Sequence, residues 1–141
     1  MVMLQVYTDG GSRGNPGHSA YGFVVKIDGK TIKDEGGYLG VETNNFAEYT
    51  AIIKALKWIA TNHEKENIEC LMDSLLAASQ LSGKYRVKNP KIKSLFLQVK
   101  SLENKLGKIV YKHIPRDQNK EADKLVNVAL DKIIYGTNIL H

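Results

Sequence analysis

The dipeptide Asp28-Gly29 constrains this chain more than any other short feature, because it lies between two runs, Tyr21 to Ile27 and Lys30 to Leu39, that read as strands. Two residues of this kind favour a hairpin turn whose twist matches that of paired antiparallel strands. Upstream, Leu4 to Thr8 alternates and is expected to form a strand closing at Asp9. The glycine-rich segment Gly10-Gly11-Ser12-Arg13-Gly14-Asn15-Pro16-Gly17 then reads as a tight loop. The first third of the chain is therefore expected to be an antiparallel meander.

The period changes after Leu39. Tyr49, Ile52, Ile53, Leu56, Ile59 and Ala60 follow helical spacing, and Thr43-Asn44-Asn45 precedes them, which predicts a helix of about four to five turns starting near Asn44. Ile68 to Met72 is too short for a core helix and reads as a buried strand ending at Asp73. Leu75 to Leu81 predicts a short helix stopped by Gly83, and Pro90 can open another that ends just before Gly107. Ile109 to His113 is a fifth strand. A last amphipathic helix follows a cap at Asp117 or Asn119, with Ala122, Leu125, Val126, Ala129, Leu130 and Ile133 on one face. The order β-β-β-α-β-α-α-β-α makes an α/β protein, a mixed sheet with helices packed on it. Residues 1–141 are expected to form one domain with no repeats or linkers, and the tail 135–141 carries little signal.

No apolar run reaches the roughly 18 to 20 residues of a membrane span, and the N-terminus lacks a signal-like block, which leads us to expect a soluble, cytoplasmic protein without a membrane partner. Cys70 is the single cysteine, so an internal disulfide is excluded and a buried reduced thiol is expected. The formal charge is +5, from 20 Lys and Arg against 15 acids. If four acids gather in one site, the 11 that remain make the surface strongly basic. A basic shell around an acidic point suits metal-dependent phosphodiester chemistry.

Four acids are placed for such a site: Asp9 and Asp73 at strand ends, Glu48 one turn into the first long helix, and Asp123 early in the last. If the first and fourth strands are parallel neighbours, their ends lie roughly 5 Å apart. Carboxylates so gathered repel one another unless cations sit between them. Oxygen ligands without a His/Cys quartet favour Mg²⁺ or Mn²⁺ over Zn²⁺. Spacing permits this site and does not identify it, since each acid alone reads more readily as a surface group or helix cap.

The string Thr8-Asp9-Gly10-Gly11-Ser12-Arg13-Gly14-Asn15-Pro16-Gly17, then Thr43-Asn44-Asn45 with Glu48, then Asp73-Ser74, and finally His113 and Arg116 ahead of Asn119-Lys120-Glu121-Ala122-Asp123, resemble in order and separation the blocks of the ribonuclease HI family. The resemblance runs from Leu4 to about Leu130. It implies the ribonuclease H-like fold, a five-stranded mixed sheet of order 3-2-1-4-5 flanked by helices. It also implies an endonuclease that hydrolyses the RNA strand of RNA/DNA hybrids with two Mg²⁺ ions, Mn²⁺ substituting, and leaves 5′-phosphate and 3′-hydroxyl ends. At matching positions Asp9 would bridge both metals, Asp123 would help hold the ion that activates water, and Glu48 with Asp73 would hold the ion beside the leaving oxygen.

The same resemblance makes Gly10, Gly11, Ser12, Arg13, Asn15, Thr43, Asn44, Asn45, Ser74 and Asn89 substrate-binding residues. Glycines let backbone approach the RNA, and Asn15 can read 2′-hydroxyls. Asn44 and Asn45 can bond minor-groove edges too degenerate to specify sequence, or cap the helix, so cleavage should depend little on sequence. Thr43 and Asn89 would hold a DNA phosphate at a helix N-terminus. His113 and Arg116 are candidate catalytic helpers, although His113 reads equally as an inward-facing strand end. Leu75, Val41 and the short segment Lys84-Tyr85-Arg86-Val87-Lys88-Asn89-Pro90, which lacks an inserted basic helix, depart from the family pattern. Lys84, Arg86, Lys88, Lys91 and Lys93 form either a compensating basic patch or an ordinary solvated face.

The expected molecule is a monomer whose partner is an RNA/DNA hybrid. The alternatives are a nuclease of the same fold acting on double-stranded RNA or structured DNA, and a non-catalytic nucleic-acid-binding module. A nucleotide binder built on the glycine segment is disfavoured because that segment leads into a strand and not a helix.

Overall fold

In a computed structural model, residues 3–63 and 65–139 are described, with the side chains of 136–139 left aside. Residues 140 and 141 of the tail singled out above, His141 among them, lie outside the described residues. The elements are β1 (Met3–Gly14), β2 (Gly17–Ile27), β3 (Lys30–Glu42), α1 (Asn44–Asn62), β4 (Asn67–Met72), α2 (Leu75–Leu81), α3 (Pro90–Glu103), β5 (Ile109–His113) and α4 (Lys120–Ile139). Their strands form a mixed sheet of order β3-β2-β1-β4-β5. The α/β class, the element order and the strand order all match expectation. At the hairpin, Ile27 pairs with Lys30 while Asp28 and Gly29 both have positive φ (49° and 77°), the backbone that the two-residue turn requires.

Expectation failed at β1, which does not stop at Asp9. The glycine segment continues the antiparallel ladder with β2, from Asp9↔Gly22 through Gly14↔Gly17, and the chain turns only at Gly14, whose φ is +100°. The parallel ladder with β4 ends at Thr8↔Met72. Asp9 therefore lies in the middle of one pairing and just beyond the end of the other, held on one side and open on the other.

Each face of the sheet carries a helical layer. On one face, Leu4, Val6, Phe23 and Val25 pack against Tyr49, Ile52, Leu56 and Ile59 of α1, and Val99 of α3 and Tyr111 join the same core. Cys70 is fully buried in this core, and burial pushes its thiol up to about 12, as fits an inert structural cysteine. On the other face, Ala20 packs with Val126 and Leu130 of α4. Glycines make both layers close enough to matter for function. A Cβ on Gly10 would lie 2.1 Å from the Ala47 carbonyl carbon and 2.4 Å from the Glu48 nitrogen, and one on Gly22 would lie 2.6 Å from the Ala122 oxygen.

The ends of two helices also differ from expectation. α3 stops at Glu103, capped at Asn104, several residues before Gly107. Asn119 precedes α4, yet its side chain donates to the Thr8 carbonyl (2.8 Å) and ties the helix start to β1, while Asp117 lies in a short 3-10 turn.

Candidate active site

Helix α1 begins where Thr43 accepts from the Phe46 N–H, which places Glu48 one turn in, against β1. The Gly10 N–H donates to the Glu48 carboxylate, a contact made possible by the missing Cβ at Gly10. Asp73 follows the last residue of β4, and Ser74 caps α2 by accepting from the Ala77 N–H. Asp9, Glu48 and Asp73 each offer a carboxylate oxygen, all within 4.8 Å of one another. Two unit charges at that separation repel by roughly 3 kcal/mol at the effective dielectric typical of a protein surface.

Asp123 reaches Asp9 from the α4 side and shares a hydrogen bond with it. Burial first, then the charges of Asp73 and Asp123, push the Asp9 carboxyl up to about 8, while Arg116 opposes the shift. Burial first, then the charges of Asp9 and Asp73, also raise Glu48 well above the usual carboxylate range, and its buried Oε2 has no hydrogen-bond partner among the described residues. Such an orphaned oxygen beside two other acids fits a hard divalent cation. The group that could hold a metal ion therefore comprises Asp9, Glu48 and Asp73, with Asp123 beside it.

These acids sit in a cleft of about 540 Å³ whose walls include Gly10, Gly11, Ser12, Arg13, Asn44 and Asn45, together with Ser74 and Arg116. The Arg116 guanidinium is 3.5 Å from the Asp123 carboxylate and is largely exposed. A neighbouring hollow of about 330 Å³ is lined by Asn15, Thr43, Asn44, Asn45 and Asn89. Three of the four asparagine oxygens here are occupied by backbone: Asn44 Oδ1 accepts from the Ser12 N–H (2.8 Å), Asn15 Oδ1 from the Asn44 N–H (3.1 Å), and Asn89 Oδ1 from the first turn of α3. Their amide N–H groups have no intramolecular acceptor among the described residues, so a row of donors faces the two hollows.

The structure thus gathers Asp9, Glu48, Asp73, Asp123, Arg116 and the expected substrate-binding residues into two adjoining hollows. His113 stands apart: it ends β5 opposite Met72, exposed and outside the cleft lining, so it is not an inward-facing strand end. Gly10 lines the cleft and also carries a packing constraint that its motif did not suggest, because a Cβ there would enter the backbone of α1. Sequence reasoning missed Asn127, which lines the cleft and donates to Asp123 Oδ2 at 3.3 Å. Its position one helical turn after Asp123 was the available signal.

The geometry agrees with what known proteins show. A sequence model of the reverse-transcriptase-like family matches residues 7–129. Ribonuclease H of Ruthia magnifica subsp. Calyptogena magnifica is 33% identical over 147 residues, which cover 94% of this chain and 99% of that protein. The bifunctional protein Rv2228c of Mycobacterium tuberculosis is 40% identical over 132 residues, 92% of this chain, and the chain spans only 36% of its length. Among solved structures, LC11-RNase H1 in complex with an RNA/DNA hybrid, an enzyme isolated from compost by a metagenomic approach, superposes with a TM-score of 0.89 at 38% identity. That match covers 93% of this chain and 99% of the other. With nearly full coverage of both chains in the matches to the Ruthia ribonuclease H and to LC11-RNase H1, and with the acids of the motifs meeting in one cleft, the chain belongs to the type 1 ribonuclease H family.

Proposed function

We propose that this chain is an endonuclease that hydrolyses the RNA strand of RNA/DNA hybrids, with divalent metal held by Asp9, Glu48, Asp73 and Asp123. The observation that carries the reading is the meeting of three carboxylates within 4.8 Å around an orphaned Glu48 oxygen, inside a cleft walled by amide donors. The hybrid bound to LC11-RNase H1 supports the choice of substrate. When bound, Mg²⁺, as a pair of ions, would supply charge neutralisation at the scissile phosphate and a water acidified enough to attack it. Mn²⁺ is the natural substitute.

The chain's own residues do the rest. Asp9 lies at the centre, where Glu48, Asp73 and Asp123 can each act with it. The Asn15, Asn44 and Asn45 amides present N–H groups to the minor groove and its 2′-hydroxyls, where an acceptor on either base pair serves equally, so the grip is insensitive to sequence. Thr43 and Asn89, in the second hollow, are placed for a DNA phosphate near the start of α1. Ser12, Arg13 and Ser74 line the approach, and Arg116 offers a cation beside Asp123. His113 would have to act from outside the cleft wall. We take residues 1–141 to work as one monomeric, cytoplasmic unit; no helix among the described residues is long and apolar enough to cross a membrane.

The decisive assay incubates the protein with Mg²⁺ or Mn²⁺ on matched RNA/DNA hybrid, RNA duplex, DNA duplex and single-stranded RNA, alongside Asp9→Asn. Only the RNA of the hybrid should be cut, with 5′-phosphate products, and Asp9→Asn should lose at least a hundredfold in rate. An intact hybrid, or equal cutting by Asp9→Asn, overturns the reading; preferential cutting of RNA duplex moves the substrate to double-stranded RNA.

A further inference from the structure

Asp123, Asn127 and Asp131 recur at four-residue spacing along α4, and Arg13 reaches across from β1 to this stripe. The Arg13 guanidinium pairs with Asp131 Oδ1 at 2.8 Å and donates to Asn127 Oδ1 at 3.3 Å. Because an arginine only donates, the side of the Asn127 amide that faces it must be the oxygen, and the N–H₂ group is turned toward Asp123. There Nδ2 meets the Asp123 carbonyl at 3.1 Å and Asp123 Oδ2 at 3.3 Å. The other carboxylate oxygen, Oδ1, lies 3.5 Å from Arg116. Each oxygen of Asp123 therefore has its own restraint.

We propose that Asn127, oriented by the Arg13–Asp131 pair, is a positioning residue that holds the Asp123 carboxylate toward Asp9, ready to ligate a divalent cation. The proposal rests on Asp123 being a metal ligand, as read above. An aspartate on a half-open helix face has several rotamers, and ordering it before the ion arrives removes that entropy from the binding step. An asparagine serving only the helix would need just its bond to the Asp123 carbonyl. The contact to Oδ2 and the lock from another element go beyond that. Asp131 lies outside the cleft lining, so it acts on the site through Arg13.

The test follows Asp123 and Asp73 separately, by the broadening of their side-chain carboxyl ¹³C NMR signals as Mn²⁺ is added below stoichiometry. Asn127→Ala should raise the Mn²⁺ concentration that broadens Asp123 about tenfold, the lower end for loss of a group supporting a metal ligand. Asp73 should titrate as in the unmodified protein. Asp131→Asn should move Asp123 in the same direction by less. With hybrid at fixed Mg²⁺, Asn127→Ala should lower kcat and leave KM unchanged. The positioning role is overturned if the Asp123 and Asp73 signals shift together, if neither shifts, or if Asp123 never broadens in the unmodified protein. Cleavage by the unmodified protein keeps the two readings apart: cutting without the selective shift removes the positioning role alone, whereas the selective shift without cutting removes the ribonuclease reading alone.

Discussion

Asp9 ionises at a disadvantage in the folded chain, and that disadvantage is measurable. Burial and two acidic neighbours hold its carboxyl at about 8, whereas in the unfolded chain it ionises near ~3.9. The folded state thus binds this proton more tightly. The associated stability is fully present below about pH 4 and is lost as pH rises toward 8. In chelator, Asp9→Asn should therefore melt above the unmodified protein at pH 8, with the difference shrinking toward pH 4. Adding Mg²⁺ should raise the melting temperature of the unmodified protein and leave Asp9→Asn nearly unmoved. A common pH profile in chelator would show that the four acids do not strain the fold. The motif blocks made these acids legible, because each block fixes what surrounds its acid. Asn127 was not legible: an asparagine on a polar helix face looks like any other until Arg13 arrives from 114 residues away.

At the level of elements, the site exists because two helices approach the sheet at glycines. A Cβ at Gly10 would enter the α1 backbone at 2.1–2.4 Å, and backbone cannot rotate away as a side chain can. Gly10→Ala should cost about 3 kcal/mol, the upper range for overpacking, and lower the melting temperature by roughly 10 °C in a chain of this size. It should also pull Glu48 from the other acids and weaken metal binding. Gly11→Ala is the matched control, since its Cβ would meet only a Val126 methyl at 3.7 Å. A Gly10→Ala protein that melts and binds metal normally would refute the account of how Glu48 is placed. Element types were readable because period two and period 3.6 are local patterns. The reach of β1 was not, because three glycines look like a loop when the partner strand is out of view. Residues Gly10 to Gly14 stay extended through the ladder to β2. The same limit applies at Asn119, whose capping chemistry is redirected to the Thr8 carbonyl 111 residues away.

Over the whole molecule, acids are concentrated at one point while the net charge stays at +5. Lys84, Arg86, Lys88, Lys91 and Lys93, from the turn after α2 into α3, are all exposed, and among them Lys91 is committed to Glu42 at 2.8 Å. Composition allowed this division only on condition that four acids gather, and it did not tell which bases face the substrate, because a solvated lysine and a phosphate-binding one share every local feature. Asn89 lines the second hollow and follows the segment that carries Lys84, Arg86 and Lys88, so these three are the bases to test for a grip on the DNA strand. Each phosphate contact releases counterions and adds about 0.9 to the slope of log affinity against log salt. Four contacts would weaken binding about a hundredfold between 50 and 200 mM salt. Replacing Lys84, Arg86 and Lys88 together by glutamate should flatten that slope by about 2 or more, measured with Asp9→Asn protein so that the hybrid stays intact, and leave the melting temperature within a few degrees. An unchanged slope would mean that these three side chains form only a solvated face, and that the hybrid is held by the amide donors and the start of α1.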